Sequence, residues 1–381
     1  MSKSPRSFVF LGLSITSSWG NGHATTYRGL IKELAAKGHQ VTFLERDVPW
    51  YAQNREFTTL PFCRVHLYQS LEQLKDEFED IVRQADAVLI GSYVPDGIAV
   101  ARWAKGVASN LLVFYDIDTP VTLAALANHA CTYLSNDLVA KYDLYLSFTG
   151  GPTLQFIENR MGSPCARPLY CSVDPTVYFP QPMAEKWAVA YLGTYAPDRQ
   201  HTLEEILLNA ARCSPEEQFA VAGPQYPDTI AWPSNVRHIE HLPASGHRAF
   251  YNSQRFALNV TRRDMIRAGY SPSVRLFEAA ACGIPILTDE WTGLHSFFKP
   301  RSEIIPVRRT DDVLRALRIS KDQCREIAER ARKRVLRFHT AAVRAGELEA
   351  YIIESENRKS RSNKVSARVA RRPLAVALTE K

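Results

Sequence analysis

Residues 269–290 read GYSPSVRLFEAAACGIPILTDE, a helix that carries one carboxylate inward and turns straight into a strand. Ser271 offers a capping oxygen, and Pro272 suits the first helical position, where a missing N–H costs nothing. Gly283 ends the helix. Leu276, Phe277 and Ala280 give it a packing face, the small run 279–282 permits close approach to a neighbour, and Ile284 to Leu287 is short, apolar and strand-like. Glu278 stands out in these surroundings. A carboxylate among apolar residues pairs with a cation, accepts hydrogen bonds or faces a ligand pocket.

On either side of this stretch, strands and helices alternate. Phe8 to Leu13 is a first strand, Gly20-Asn21-Gly22-His23 a turn, and an amphipathic helix ends at Gly38 before a second strand at Gln40 to Glu45. That is a βαβ opening of the Rossmann kind. Further buried strands are expected at Ala87 to Ile90, Leu111 to Tyr115 and Leu144 to Phe148, each running into polar or glycine-rich residues. Proline-rich text from Pro164 to Trp187 suits a crossing between domains. A second run then begins: strands at Val189 to Leu192, Phe219 to Ala222, Val236 to Ile239 and Phe256 to Val260, with a helix at Thr202 to Ala211. Helices follow at Asp311 to Ile319, Lys321 to Phe338 and Ala341 to Glu356.

The segment FEAAACGIPIL resembles the EA-x-A-x-G-x-P-I/V text of GT-B glycosyltransferases of the family 4 kind. The longer pattern S-x-R-x-FE-x-A-A-x-G-x-P, followed by Asp289, Gly293-Leu294 and Phe297-Phe298, is most similar to the CgeB-type branch, named after spore maturation proteins. The resemblance implies an α/β fold of the GT-B kind: two Rossmann-like doubly wound domains facing across a cleft, with a C-terminal helix crossing back. It implies a nucleotide-diphosphate sugar, a UDP-sugar in the first instance, as substrate, with no cofactor and no metal, and an acceptor that is a glycan, a lipid-linked species or a small molecule. Glu278 would hold the ribose, and Gly193, Thr194 and Arg199 would meet the diphosphate, Arg199 by a bidentate contact. Ser271 and Ser273 would meet phosphate through hydroxyl and backbone N–H at a helix start. One position departs from the family: the first glutamate of its E-x7-E motif would fall at 270, where this chain has Tyr270.

Alternatives accompany each residue. Arg275 lies on the same helix three residues before Glu278, so the two serve a ligand together or form a plain ion pair. Arg199 is otherwise a solvated arginine near a helix start. On the acceptor side, Gly20, Asn21 and Gly22 present backbone N–H groups at a helix N-terminus, or simply make a tight turn. The polar residues after the later strands extend that rim: Ser92 to Val94, Asp116 to Pro120, and Ser147 to Gly151 with Thr149, Gly150 and Gly151. Asp116 and Asp118 form a D-x-D, which elsewhere binds a divalent cation; alternatively one of them orients His23 as a general base, or caps the helix near Thr119.

Composition sets limits. The 381 residues, 45% hydrophobic and 23% charged, suffice for two domains. The expected layout is an acceptor domain over 1–178, a linker over 179–187, a nucleotide-sugar domain over 188–340, a crossing helix over 341–356 and a basic disordered tail over 357–381. Residues 357–381 carry eight Lys or Arg and one Glu, a net +7 that equals the whole chain's net charge. The body is therefore neutral on balance, which argues against nucleic acid as a partner and leaves the tail as a weak tether to anionic lipid. Seven cysteines in no paired spacing point to reduced thiols and a cytoplasmic protein, peripheral to the inner membrane face if the tail docks there. The basic, apolar start KSPRSFVFLGLSITSS mimics a signal peptide but reads better as the first strand and its turn. Two rivals share the scaffold: a GT-B-fold sugar-nucleotide epimerase, and a non-catalytic binding or assembly protein.

Overall fold

The structure, a computed structural model, describes residues 4–370. Two wholly parallel sheets account for its core. The first holds β1 (Ser7–Gly12), β2 (Gln40–Arg46), β3 (Arg64–Tyr68), β4 (Ala87–Gly91), β5 (Leu111–Asp116), β6 (Leu144–Ser147) and β7 (Ala166–Pro168) in the order β3-β2-β1-β4-β5-β6-β7. The second holds β8 (Trp187–Leu192), β9 (Phe219–Ala222), β10 (Val236–Ile239), β11 (Gln254–Asn259), β12 (Ile286–Thr288) and β13 (Ile305–Pro306) in the order β10-β9-β8-β11-β12-β13. Strands such as Ala87–Gly91 and Phe219–Ala222 are buried along their whole length, as expected where helices cover both faces. Chain order reverses between β1 and β4 in one sheet and between β8 and β11 in the other. Each reversal opens a crevice at the carboxyl ends of those strands.

The sequence expectation of two doubly wound domains thus holds, with local corrections. Strands β3, β7 and β13 lie outside the expected set, because short edge strands need little apolar text. The helix after β8 begins at Pro197, not Thr202, and passes through a π-helical turn at Glu204–Leu208. Gly269-to-Glu290 is also reorganised at its start. The helix is Val274–Ala281 with Ser273 at the N-cap, so neither Ser271 nor Pro272 has the expected capping role. Gly269 at φ +65 and Tyr270 at φ +48 turn the chain sharply, and Ser271 goes inward instead, its hydroxyl 3.0 Å from Gly269 O.

The last helix, Ala341–Ala370, lies on the first domain. Ala345, Leu348 and Ile352 join the core around Tyr27, Leu30 and Leu34, and a Cβ placed on Gly29 would sit 3.2 Å from Ala341 Cβ. Polar pairs flank this seam: Glu349 accepts from Lys37 at 2.9 Å, and Arg6 Nη2 donates to Glu356 Oε2 at 2.9 Å. The helix runs past 356, which corrects the disorder expected from 357. Lys359 Nζ reaches Asp143 Oδ2 at 3.1 Å, and Arg358 donates to Pro164 O at 3.1 Å, so the start of the basic segment docks on the first domain. The remainder of that segment, 371–381, lies outside the described residues. All seven cysteines are free thiols. No helix among the described residues is long and apolar enough to cross a membrane.

Candidate functional site

The two crevices face each other and form one cleft of about 560 Å³. Its lining includes Gly20, Asn21, Gly22 and His23 from the turn after β1. Opposite lie Gly193, Thr194 and Arg199 after β8, Arg262 after β11, and Ser273, Arg275 and Glu278 at the start of helix Val274–Ala281.

The second-domain wall is built for an anion. A Cβ on Gly193 would lie 2.5 Å from the Tyr191 hydroxyl, and one on Gly223, at φ +151, would lie 2.1 Å from Gly193 O. Only glycine lets these two loops meet, and their backbone stays open to the cleft. Arg199, in the first turn of its helix, donates from Nη2 to Thr194 O at 2.5 Å, while its buried Nε has no partner. Burial lowers its pKa. Arg275 donates from Nη1 to Asn259 Oδ1 at 2.9 Å and lies 5.1 Å over the Tyr191 ring. Burial pulls its pKa down, but the phenols of Tyr191, Tyr251 and Tyr226 and the Glu278 carboxylate outweigh this and leave it raised. Asn259 is itself fixed, donating to Thr261 Oγ1 at 3.2 Å and Thr288 Oγ1 at 3.0 Å, and Thr261 is held by Asp289. Glu278, 4% exposed, accepts from the Tyr251 hydroxyl at 2.9 Å. Arg275 and Glu278 thus have separate hydrogen-bond partners, and both line the cleft. The plain ion pair between them does not form.

The first-domain wall is organised from behind. Glu45, fully buried, accepts from Ser14 Oγ, Ile15 N, Thr16 N and Thr16 Oγ1 at 2.6–3.1 Å and so shapes the turn after β1. Asn21 donates to Ser14 O and Ser17 O, and its Oδ1 accepts from the His23 N–H at 3.0 Å, which ties off one orphan donor of helix His23–Ala36. Gly20 has the positive φ of a tight turn at +59, whereas Gly22 is right-handed at φ −66. His23 is half-buried, with its ring 5.5 Å from that of Tyr93 and no partner for Nδ1. Burial lowers its pKa, and Asp118 opposes this only in part.

Asp116 and Asp118 separate in role. Asp116 is fully buried and accepts from the hydroxyls of Ser92, Tyr145 and Thr122 at 2.6–2.7 Å. It does not line the cleft, and its expected catalytic place is corrected to an internal one. Desolvation raises its pKa against the pull of those hydroxyls. Asp118 accepts from Tyr93 at 2.8 Å and faces Arg262 Nη1 of the opposite domain at 3.8 Å. It occupies the N-cap of helix Thr119–Ala127 without a side-chain capping bond. Among the described residues no group of three or more His, Cys, Asp or Glu could hold a metal.

Thr149, Gly150, Gly151 and Ser271 are also off the cleft. They form the seam between the domains: the Thr149 and Ser271 hydroxyls are 2.6 Å apart, and Gly150 N donates to Tyr270 O at 3.1 Å. The Tyr270 ring is wedged between two glycines, since a Cβ on Gly151 or on Gly293 would come within 2.3 or 2.5 Å of it. A tyrosine therefore fills a junction at the position where the resembled family has a donor-side glutamate.

With this geometry in hand, likenesses to known proteins can be placed. Residues 199–350 match the family described as glycosyl transferase-like. Alr3699/HepE of Anabaena, solved with UDP and glucose, is 12% identical with a TM-score of 0.66, over 92% of this chain and 100% of its own. An alpha-glucosyltransferase solved with UDP and a DNA 13-mer containing an HMU base is 13% identical with a TM-score of 0.67, over the same shares. Sucrose-phosphate synthase of Thermosynechococcus elongatus is 15% identical with a TM-score of 0.65, again over 92% and 100%. The chain has the GT-B glycosyltransferase fold. No curated protein sequence matches it.

In this GT-B cleft the sequence located Glu278, Arg275, Arg199, Gly193, Thr194, Ser273 and the Gly20-to-His23 turn, and it missed Arg262. Arg262 Nη1 lies 3.8 Å from Asp118 Oδ2 and its Nε 4.0 Å from Asp198 Oδ2, so it spans the two walls. The signal was available: Arg262 follows directly on the carboxyl end of β11, where ligands collect in open α/β sheets. The supports of Arg275 and of the Gly20 turn, Asn259 and Glu45, were missed for another reason. They are distant in sequence from what they hold.

Proposed function

We propose that the protein transfers a sugar from a nucleotide-diphosphate donor, a UDP-sugar in the first instance, to a hydroxyl-bearing acceptor. One observation carries this: three guanidiniums, Arg199, Arg262 and Arg275, and the buried Glu278 carboxylate converge on one wall of the GT-B cleft. Nucleotide recognition asks for that combination, with cations for the diphosphate and a carboxylate for the ribose hydroxyls. In the transfer step the acceptor oxygen bonds to the anomeric carbon as the bond from that carbon to the diphosphate oxygen breaks. The diphosphate leaves with both electrons toward the guanidiniums, and the acceptor proton passes to His23. A neutral imidazole suits that task, and burial at the start of a helix keeps His23 neutral. The anionic leaving group is where preorganised cations contribute most.

Three finer assignments belong to the same proposal. Membership in the CgeB-type branch rests on the Ser273-to-Phe298 text. Independence from a metal rests on Asp116 being taken up by three hydroxyls. A weak contact of the basic segment 357–381 with anionic lipid rests on its net +7.

The test is the thermal midpoint of the protein with a panel of nucleoside diphosphates and their sugars, repeated on Glu278→Ala. A ligand held only by the folded state raises the midpoint. The expected result is a rise with uridine diphosphates that the variant loses; no rise with any nucleotide would overturn the proposal.

A further inference from the structure

We propose that Trp19 and Trp50 form a stacking platform beside the cleft for the sugar rings of an oligosaccharide acceptor, an inference that rests on the glycosyltransferase reading above. The two indoles are 39% and 50% exposed, unusual for residues that bury so much apolar area when they are inside, whereas nearby Phe57 has its ring covered by the Arg28 guanidinium at 4.5 Å. The indoles come from two loops stitched into one. Phe57 N donates to Thr16 O at 3.2 Å, Ser17 Oγ to Asn54 O at 2.7 Å, and Asn54 Nδ2 to Trp50 O at 2.8 Å. Trp19 follows two residues after Ser17, and its N–H meets Ser17 Oγ at 3.3 Å. The knot rests on Glu45 behind it, so the aromatic side chains stand on a fixed base.

Place and charge choose the occupant. Ser18 and Gly20, the chain neighbours of Trp19, line the cleft together with His23 of the same turn, so the platform stands at the cleft margin. A ligand on the indoles therefore extends toward His23. The nearby cations are already matched: Arg28 with Glu56 at 3.0 Å and over the Phe57 ring at 4.5 Å, Arg55 with Asp47 at 2.6 Å, and Arg46 with Asp96 at 3.0 Å. An anionic bilayer calls for uncompensated cations beside its aromatic anchors, and a phosphorylated ligand calls for the same. Here the surface offers aromatic faces with exposed polar neighbours, Gln53, Asn54, Thr58 and Thr59, and no spare charge. A sugar ring fits both properties. Its axial C–H face is weakly positive and stacks on the negative face of an indole, while its hydroxyls take the polar groups around it. The acceptor then has more than one ring, the distal units on the platform and the reacting hydroxyl at His23.

The experiment compares the wild type with Trp19→Ala/Trp50→Ala on an array of immobilised neutral and charged oligosaccharides, with sedimentation on vesicles of three parts phosphatidylcholine to one part phosphatidylglycerol alongside. Neither indole belongs to a core cluster, and the uridine diphosphate thermal shift checks separately that the variant folds. The expected result is retention of the wild type on neutral oligosaccharides, weakened about tenfold or more in the variant, with the nucleotide shift intact. Retention unchanged in the variant, binding to no glycan, or vesicle binding that disappears with the two indoles would each overturn the platform. A missing nucleotide shift in the wild type would strike the glycosyltransferase reading instead, which keeps the two failures apart.

Discussion

Asp116 and Glu278 are both buried carboxylates behind one cleft, and they are bonded differently. Asp116, in the first domain, accepts three hydroxyl hydrogen bonds and touches no part of the cleft lining. Glu278, in the second, accepts from Tyr251, has the Tyr178 phenol beside it and lines the cleft. The same contrast runs through the two walls. On the first-domain side Glu45 and Asn21 bond inward to shape a loop, while His23 Nδ1 of that turn keeps no partner; on the second, the Nε atoms of Arg199 and Arg262 have none. Burial alone therefore does not mark a ligand-binding group. A ligand-binding group also needs spare bonding capacity, because a fully bonded one has nothing left to offer a ligand.

The contrast is breakable. Asp116→Ala orphans three buried hydroxyls and should lower stability by about 3 kcal/mol in urea denaturation, leaving the nucleotide-induced thermal shift in place. Loss of that shift at unchanged stability would make Asp116 a ligand group after all. Glu278→Ala should do the reverse: kcat/KM falls on the order of a hundredfold, about 2.7 kcal/mol, while stability falls by only about 1 kcal/mol for the one orphaned Tyr251 hydroxyl. A large stability loss with normal kinetics would reduce Glu278 to a structural acceptor.

Two histidines sharpen the same contrast through pH. His339 is buried, stacked 4.7 Å from Phe277, and its Nδ1 accepts from Arg344 at 2.9 Å. Burial first, then Arg344 and Arg334, lowers its pKa to about 3. The unfolded chain gains its proton near pH 6.5 and the folded one does not. Stability is thus complete above pH 6.5 and should fall by about 1.4 kcal/mol per pH unit below it until near pH 3; His339→Gln should flatten that slope in urea titrations. His23, also lowered by burial, should report in catalysis instead. A base works when deprotonated, so the acid limb of kcat/KM should lie below pH 6.5 and disappear in His23→Ala. A limb at or above 6.5 would remove His23 as the base.

Much of this was legible in the chain. Alternating apolar runs located both doubly wound sheets, and an isolated glutamate in an apolar helix located the second-domain wall of the cleft. What stayed hidden depends on contacts between distant residues. Nothing near Asp116 says that Ser92 and Tyr145 will close on it. A D-x-D reads the same whether its carboxylates face a ligand or the interior. Thr149, Gly150 and Gly151 looked like rim because they follow a strand; their neighbour across the seam, Tyr270, is over a hundred residues away. Helix ends were misjudged where the backbone, not the side chain, decides: Tyr270 at φ +48 moved the helix start from Ser271 to Ser273.

The last helix has a practical consequence. It leaves the second domain at Thr340 and completes the core of the first with Ala345, Leu348 and Ile352. The chain therefore cannot be divided at the linker into two pieces that each keep a whole interior. Residues 1–178 expressed alone would present the apolar face around Tyr27, Leu30 and Leu34 to water. That fragment becomes a sensible reagent only when residues 341–356 are supplied with it, fused or in trans.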